Sequence, residues 1–447
     1  MTSLLPETAR SVDAAVAHAQ AAGRVPSVSL GVVRDGELVH VAAAGGPAAP
    51  GDAPPGQDTR YRIGSISKTM TATLVLQLRD EGRLALDDLL YRHLPGTPVG
   101  SVTLRQLLGH AAGLQREPEG TWWERHEGDD IDALLAGLTP DKIAFPPHRT
   151  YHYSNLAYGL LGAVLRRATG EDWTTLLTKR LFDPLGMRAT TYHPVEPFAR
   201  GYVVHPWSST LREEPRTDTG AMAPAGQLWS TVADLARWAA FLAAPRPEVL
   251  APETMTEMSA PVVISDLEAW TGGHGLGLEL YRVGERVYVG HGGSMPGYLA
   301  CLAVHRKSRT GVVGFANAYS FRQGSISELG RAVLTDVLDR EPDLPEPWRP
   351  AGAPPPPLAP LTGRWWWMGI EYDLAWHDAT SEFVLSQLRT GAPRPTRFTA
   401  AGTDRWRGRG GPNNGEVLTV RRDEHGVPAA LEIATFIFTR HPDRLGP

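Results

Sequence analysis

The sequence predicts an α+β protein: an antiparallel sheet flanked by helices, a helical subdomain set into it, and a small all-β barrel after it. Three observations carry this reading. Strand-like runs appear early, give way to helical periodicity between about residues 100 and 245, and return after residue 277. Residues 340–360 hold nine prolines. Beyond them come short alternating segments separated by Gly, Pro and Asn turns. At 447 residues the chain is too long for one ordinary core. The expected organisation is a first domain at 1–339, a proline-rich linker at 340–360 and a barrel domain at 361–447.

Taken in order, residues 8–22 have the spacing of an amphipathic helix. Residues 27–33 and 37–43 follow as strands, with Asp35-Gly36 as their hairpin turn. A Pro/Gly/Ala-rich loop covers 45–57. A helix then runs from Ser65 to about Glu81, with Met70, Leu74, Leu76 and Leu78 among its apolar residues. Asp87-Asp88 and Leu94-Pro95-Gly96 mark turns. Helical stretches are expected at 104–108, 131–138, 155–169, 173–181 and 231–243. Strands are expected at 277–281, 286–290, 299–305 and 311–317, and a last helix at 325–339. Four consecutive prolines at 354–357 make the linker stiff. The segments 372–376, 382–385, 396–399, 417–421 and 430–438 suggest an up-and-down barrel or sandwich.

Composition narrows the function. A hydrophobic content of 42%, a charged content of 21% and a formal net charge of −5 describe a globular protein with no call for nucleic acid or an anionic membrane. No segment approaches the roughly 18 apolar residues of a membrane span. The first ten residues lack a cationic region and an apolar stretch, so no signal peptide is expected, and the expected location is cytoplasmic. The single cysteine, Cys301, excludes an internal disulfide and sits in an apolar strand as a core residue. The motifs of metal and nucleotide sites are missing, and no serine is centred in G-x-S-x-G. No cofactor is expected.

The chemistry begins at Ser65-Ile66-Ser67-Lys68. On a helix, residues three apart share a face, so the Lys68 amine lies beside the Ser65 hydroxyl. A serine becomes a nucleophile when a neighbour takes its proton, and a desolvated lysine is such a base. The chain has 40 arginines and only 4 lysines. Arginine keeps its proton at neutral pH, so a lysine at this position points to a need for an amine that can lose one. Two more motifs follow: Tyr153-Ser154-Asn155, ahead of a helix, and His291-Gly292-Gly293, between two strand-like runs.

The order S-x-x-K, Y-x-N, [K/H]-x-G resembles the serine β-lactamase and penicillin-binding-protein superfamily. The likeness is strongest to class C β-lactamases, their esterase relatives and the D-stereospecific peptidases, and runs from about residue 10 to 340. The segments around Arg62, Leu107, Leu181 and Pro224 match as well, with His110 read as a turn residue. The resemblance implies the β-lactamase/transpeptidase-like fold. It implies Ser65 as nucleophile, Lys68 and Tyr153 as proton carriers, and an oxyanion hole from the backbone N–H groups of Ser65 and Ser294. It places Asn155 on Lys68 and the substrate, and gives His291 a catalytic role and Gly292 and Gly293 a substrate-binding one. Trp122 is a candidate wall of the acyl pocket. Beyond the linker, Gly363-Arg364-Trp365 and the ending at Arg440 resemble the lipocalin-like domain of penicillin-binding-protein-type thioesterases. That likeness makes Arg440 a candidate for the substrate carboxylate.

One departure matters. His291 stands where lactamases have lysine, and histidine is mostly neutral at pH 7. This favours an esterase, peptidase or acyltransferase over a β-lactamase. The expected function is a serine hydrolase acting on a small ester or amide. The alternatives are a thioesterase or peptide cyclase fed a peptidyl thioester by a carrier protein, and a non-catalytic binding protein on the same fold.

Overall fold

The computed structural model describes residues 3–319, 321–322, 324–344, 347, 350, 352–389 and 391–442. It divides into two compact units, Met1–Asp343 and Leu344–Pro447. Residues 345, 346, 348, 349 and 351 of the expected linker lie outside the described residues.

The first unit is built on an eight-stranded antiparallel sheet. Its order is Glu37–Gly45, Ser27–Arg34, Thr310–Ala316, Tyr298–His305, Arg286–Met295, Glu279–Val283, Gly272–His274 and Val263–Ile264. The first two strands form the expected hairpin, with Asp35 at φ 49° and Gly36 at φ 90°, the two positive angles that a tight hairpin turn needs. Helices cover both faces. Pro6–Gly23 and Ile326–Arg340 close a core with Val28, Leu30, Val32 and Val312. Val232–Ala243 and the helical insert close the other around Val313, Phe315 and Leu302. The Ser27–Arg34 strand is therefore buried through its first seven residues, because both of its faces are covered.

The Ser67–Asp80 helix runs through the second core, buried from Ser67 to Leu78. Its threonines stay satisfied: Trp238 Nε1 donates to Thr69 Oγ1 and Trp173 Nε1 to Thr71 Oγ1. Asn155–Thr169 packs beside it, capped by the Ser154 hydroxyl at one end and a left-handed Gly170 at the other. The helix expected at 173–181 is interrupted. It gives way at Thr178–Phe182 to a wider π turn and resumes as Asp183–Leu185. Pro184 has no N–H to continue the α register. Two short strands, Val263–Ile264 and Gly272–His274, were not foreseen, since two or three residues carry no periodic signal.

The second unit is a closed antiparallel barrel of eight strands: Gly363–Trp367, Ile370–His377, Glu382–Gln387, Thr396–Gly402, Arg405–Arg409, Val417–Arg422, Pro428–Ile433 and Phe436–Thr439. The run read as one strand at 430–438 is two, joined by a turn in which Ala434 has φ 53°. Trp365, Phe383, Phe398, Leu418 and Leu431 fill its core.

Candidate active site

Ser65 sits in a single 3₁₀ turn, Gly64–Ile66, that passes directly into the Ser67–Asp80 helix. Gly64 has φ 51°, and a Cβ there would come within 2.5 Å of the Ser294 nitrogen. Only glycine meets both conditions. A Cβ on Gly293 would lie 2.0 Å from the Ile63 carbonyl oxygen. These two glycines let the Arg286–Met295 strand press against the turn that carries the serine. The Ser294 backbone is thereby held beside the residue preceding Ser65. His291-Gly292-Gly293 is thus not a loop between strands. It lies within one continuous strand, paired with Leu302, Cys301 and Ala300. The glycines that hide the strand in the sequence are the ones that permit its close approach.

Lys68 is completely buried. Its Nζ lies 2.9 Å from Ser65 Oγ, 2.7 Å from Asn155 Oδ1 and 2.7 Å from the Ala225 carbonyl. The last two oxygens only accept. A neutral amine has two N–H groups for them and one lone pair left for the serine hydroxyl. Burial brings the amine down to about 7; Glu117, Glu124 and Glu279 pull it upward and Arg116 downward.

The Asn155 amide is locked from its far side. Its Nδ2 donates to both Glu117 oxygens, at 2.9 and 3.0 Å, which turns Oδ1 toward Lys68. Glu117 is held in turn by Trp123 Nε1 at 2.7 Å and Arg116 Nε at 3.0 Å. The sequence reading missed Glu117 and Ala225. Nothing local marks Glu117 in Gln115-Arg-Glu-Pro, and Ala225 contributes a carbonyl, which residue type does not reveal.

The Tyr153 side chain faces that of Ser65, and desolvation holds its phenol well above the ordinary range. Lys68 Nζ lies 5.0 Å from its ring centre. Behind it His110 stacks at 4.3 Å between centroids and accepts the Ser154 N–H on Nδ1 at 3.1 Å. His110 takes a positive φ of 56° and fixes the approach to Tyr153, as a turn residue should.

His291 is buried and desolvation lowers its pKa, with Glu279 opposing. Its Nδ1 donates to the Gly292 carbonyl at 2.6 Å, and among the described residues its Nε2 has no hydrogen-bond partner. Gly292 N–H donates to Glu279 Oε2 at 2.9 Å.

One expected residue stands apart from this cluster. Trp122 is 46% exposed and donates from Nε1 to Glu124 Oε2; its neighbour Trp123 is the tryptophan that reaches the site, through Glu117. Arg440 lies over the Trp365 ring, 3.7 Å from its centre, and donates to the carbonyls of Pro360, Thr362 and Arg364. Cys301 is buried, and burial pushes its thiol up to about 12. Among the described residues no group of His, Cys, Asp and Glu is arranged to hold a metal, and no helix is long and apolar enough to cross a membrane.

The geometry can be set beside known proteins. A family model described as Beta-lactamase matches residues 12–333, and one described as Domain of unknown function (DUF7586) matches 354–440. Beta-lactamase-like protein 2 of Dictyostelium discoideum is 27% identical over 299 residues, which are 63% of this chain and 54% of that protein. Protein flp of Staphylococcus aureus is 22% identical over 71% of this chain and 64% of its own length. The chain thus spans between about half and two thirds of these curated relatives. A D-stereospecific amidohydrolase from Streptomyces sp. aligns with a TM-score of 0.61 at 27% identity, over 74% of this chain and 98% of the other. SurE aligns with a TM-score of 0.59 at 25% identity, over 97% of this chain and 99% of its own. The octameric penicillin-binding protein homologue of Pyrococcus abyssi, at 20% identity and a TM-score of 0.65 over 96% of this chain and 99% of its own, shares the fold. The match over residues 12–333 contains all three motifs, and the fold brings those motifs together: the chain belongs to the beta-lactamase family, in the β-lactamase/transpeptidase-like superfamily of serine hydrolases.

Proposed function

We propose that this chain is a serine hydrolase that cleaves a small amide or ester through an acyl-enzyme on Ser65. The observation that carries the reading is the buried Lys68 amine, 2.9 Å from Ser65 Oγ with both of its other partners obligate acceptors. In its neutral form Lys68 takes the Ser65 proton as Oγ attacks the substrate carbonyl. The negative charge that develops on the carbonyl oxygen meets the backbone N–H groups of Ser65 and Ser294. Tyr153, kept as a phenol beside Ser65, relays the proton from Lys68 to the leaving amine or alkoxide as the C–N or C–O bond breaks. Water then attacks the acyl-enzyme by the same path in reverse, giving the free acid and restoring Ser65. Asn155 keeps Lys68 in place. A buried, neutral His291 offers no permanent cation for a β-lactam carboxylate, which favours simple amides and esters.

The 27% identity with a D-stereospecific amidohydrolase supports an amide substrate. A second reading, acyl transfer from a peptidyl thioester on a carrier protein to an amine, draws on the closed barrel and its Gly363-Arg364-Trp365 opening, which resemble the lipocalin-like domain of penicillin-binding-protein-type thioesterases. SurE, one of whose structures holds D-Leu, aligns over 97% of this chain. Hydrolysis of p-nitrophenyl butyrate and intact-mass detection of a fluorophosphonate adduct test the common chemistry. Ser65→Ala should abolish the adduct and lower turnover by several orders of magnitude. A variant keeping a tenth of the rate overturns it. Adding a D-amino acid amide as acceptor separates the readings, since acyl transfer diverts product from the free acid to a new amide.

A further inference from the structure

The barrel is not filled to both ends. An eight-stranded barrel has an interior just wide enough for side chains or for one small ligand. Here the core residues Phe383, Phe398, Trp406 and Leu418 pack the interior toward one end. At the other end Trp367, Tyr372, Leu385 and Phe438 line a cavity of about 250 Å³. These residues face inward by strand parity. Trp367 continues the face of the buried Trp365, and Tyr372 that of Leu374. The aromatic rings contact one another, with Tyr372 edge-on to Phe438 at 5.1 Å and Trp367 at 6.4 Å from Phe438. Arg389 and Arg394 stand on the same cavity. Among the described residues neither guanidinium is paired with a carboxylate, whereas four of the ten described barrel arginines, Arg364, Arg397, Arg421 and Arg422, each have one.

We propose that the barrel end binds a small carboxylate with an apolar body, its chain among the aromatic rings and its charge on Arg389 and Arg394. Size and charge both argue for this class. A water-sized group takes about 30 Å³, so the cavity has room for roughly eight, the size of an eight-carbon chain. Two unpaired guanidiniums beside an apolar chamber suit a planar anion, which arginine engages by two parallel hydrogen bonds. Neither the Beta-lactamase match nor the chemistry at Ser65 uses this chamber, so the inference stands whether or not the proposed hydrolase reading holds.

The test is isothermal titration of the full chain with octanoate, octanol and octyltrimethylammonium. Octanoate should bind tightest, and octyltrimethylammonium at least tenfold more weakly. The double variant R389E/R394E should weaken octanoate at least tenfold while changing octanol less than twofold. Leu385→Trp, which fills the chamber, should weaken octanoate and octanol at least tenfold alike. Thermal unfolding of each variant checks that the barrel remains folded. A diazirine-bearing octanoate, photolysed on the unaltered chain, gives an answer even where Leu385→Trp does not fold. Labelling of peptides from 363–372 or 383–396 supports the site. The proposal is overturned by no octanoate binding, by equal binding of the cationic analogue, by an unaffected L385W, or by labels confined to residues before 344.

Discussion

The state of Lys68 sets how the reaction should respond to pH. The free side chain titrates near 10.5, and burial against three nearby carboxylates leaves it at about 7. The difference, 10.5 − 7 = 3.5 units, corresponds to about 5 kcal/mol against the ammonium form. Only the neutral amine can take the Ser65 proton. kcat/KM for a non-titrating ester should therefore rise about tenfold per pH unit below 7 and level off above it, so that the rate at pH 5 is roughly one hundredth of the plateau. The assay is initial-rate hydrolysis of p-nitrophenyl acetate from pH 5 to 9, repeated with Glu117→Gln. Glu117 is the foremost charge raising the Lys68 pKa. Its removal should shift the midpoint toward acid as well as lower the plateau through a loosened Asn155. A residue that merely supported the loop would lower the plateau alone. A level profile would mean that the base lies elsewhere, and a rate still rising about tenfold per unit at pH 9 would mean that Lys68 stays an ammonium at neutral pH.

Lys68→Arg should be nearly as inactive as Lys68→Ala, about a hundredfold down or more, because a guanidinium keeps charge and surrenders no proton; an active arginine variant would pass the base role to Tyr153. Nitrocefin should turn over at least about tenfold more slowly than p-nitrophenyl butyrate, since a neutral His291 gives the lactam carboxylate no cation; comparable rates would contradict this. Acid should also destabilise the fold. Burial lowers the pKa of His110 and His291 and brings His274 to about 4, so these rings are neutral when folded yet protonated in the unfolded chain below about 6.5. Stability is then full above 6.5 and lost as pH falls, with His274 contributing (6.5 − 4) units, about 3 kcal/mol, below pH 4. Urea midpoints at pH 7 and 4 should fall less in His274→Gln than in the parent; equal falls would remove His274 from the account.

Much of the first unit was legible because its signals are local. The Asp35-Gly36 hairpin, the Asn155 helix between Ser154 and Gly170, and the Ser65–Lys68 spacing each rest on interactions within a few residues. The two-unit division also showed in composition, as the change to short alternating strands after the prolines. What stayed hidden depends on residues distant in the chain. The strand carrying His291-Gly292-Gly293 has no apolar alternation, and its continuity comes from pairing with Tyr298–His305. Arg405–Arg409 offers only Trp406 as an inward apolar side chain, so no apolar alternation marks it as a strand. The sequence by itself determined which groups could react. It did so because a serine three residues before a lysine on a helix must share its face. Whether that lysine is a base at neutral pH was decided only by the tertiary structure. Asn155 and Ala225 reach its amine from 87 and 157 residues along the chain, Glu117 fixes the amide, and the surrounding core excludes the water that would otherwise keep it charged.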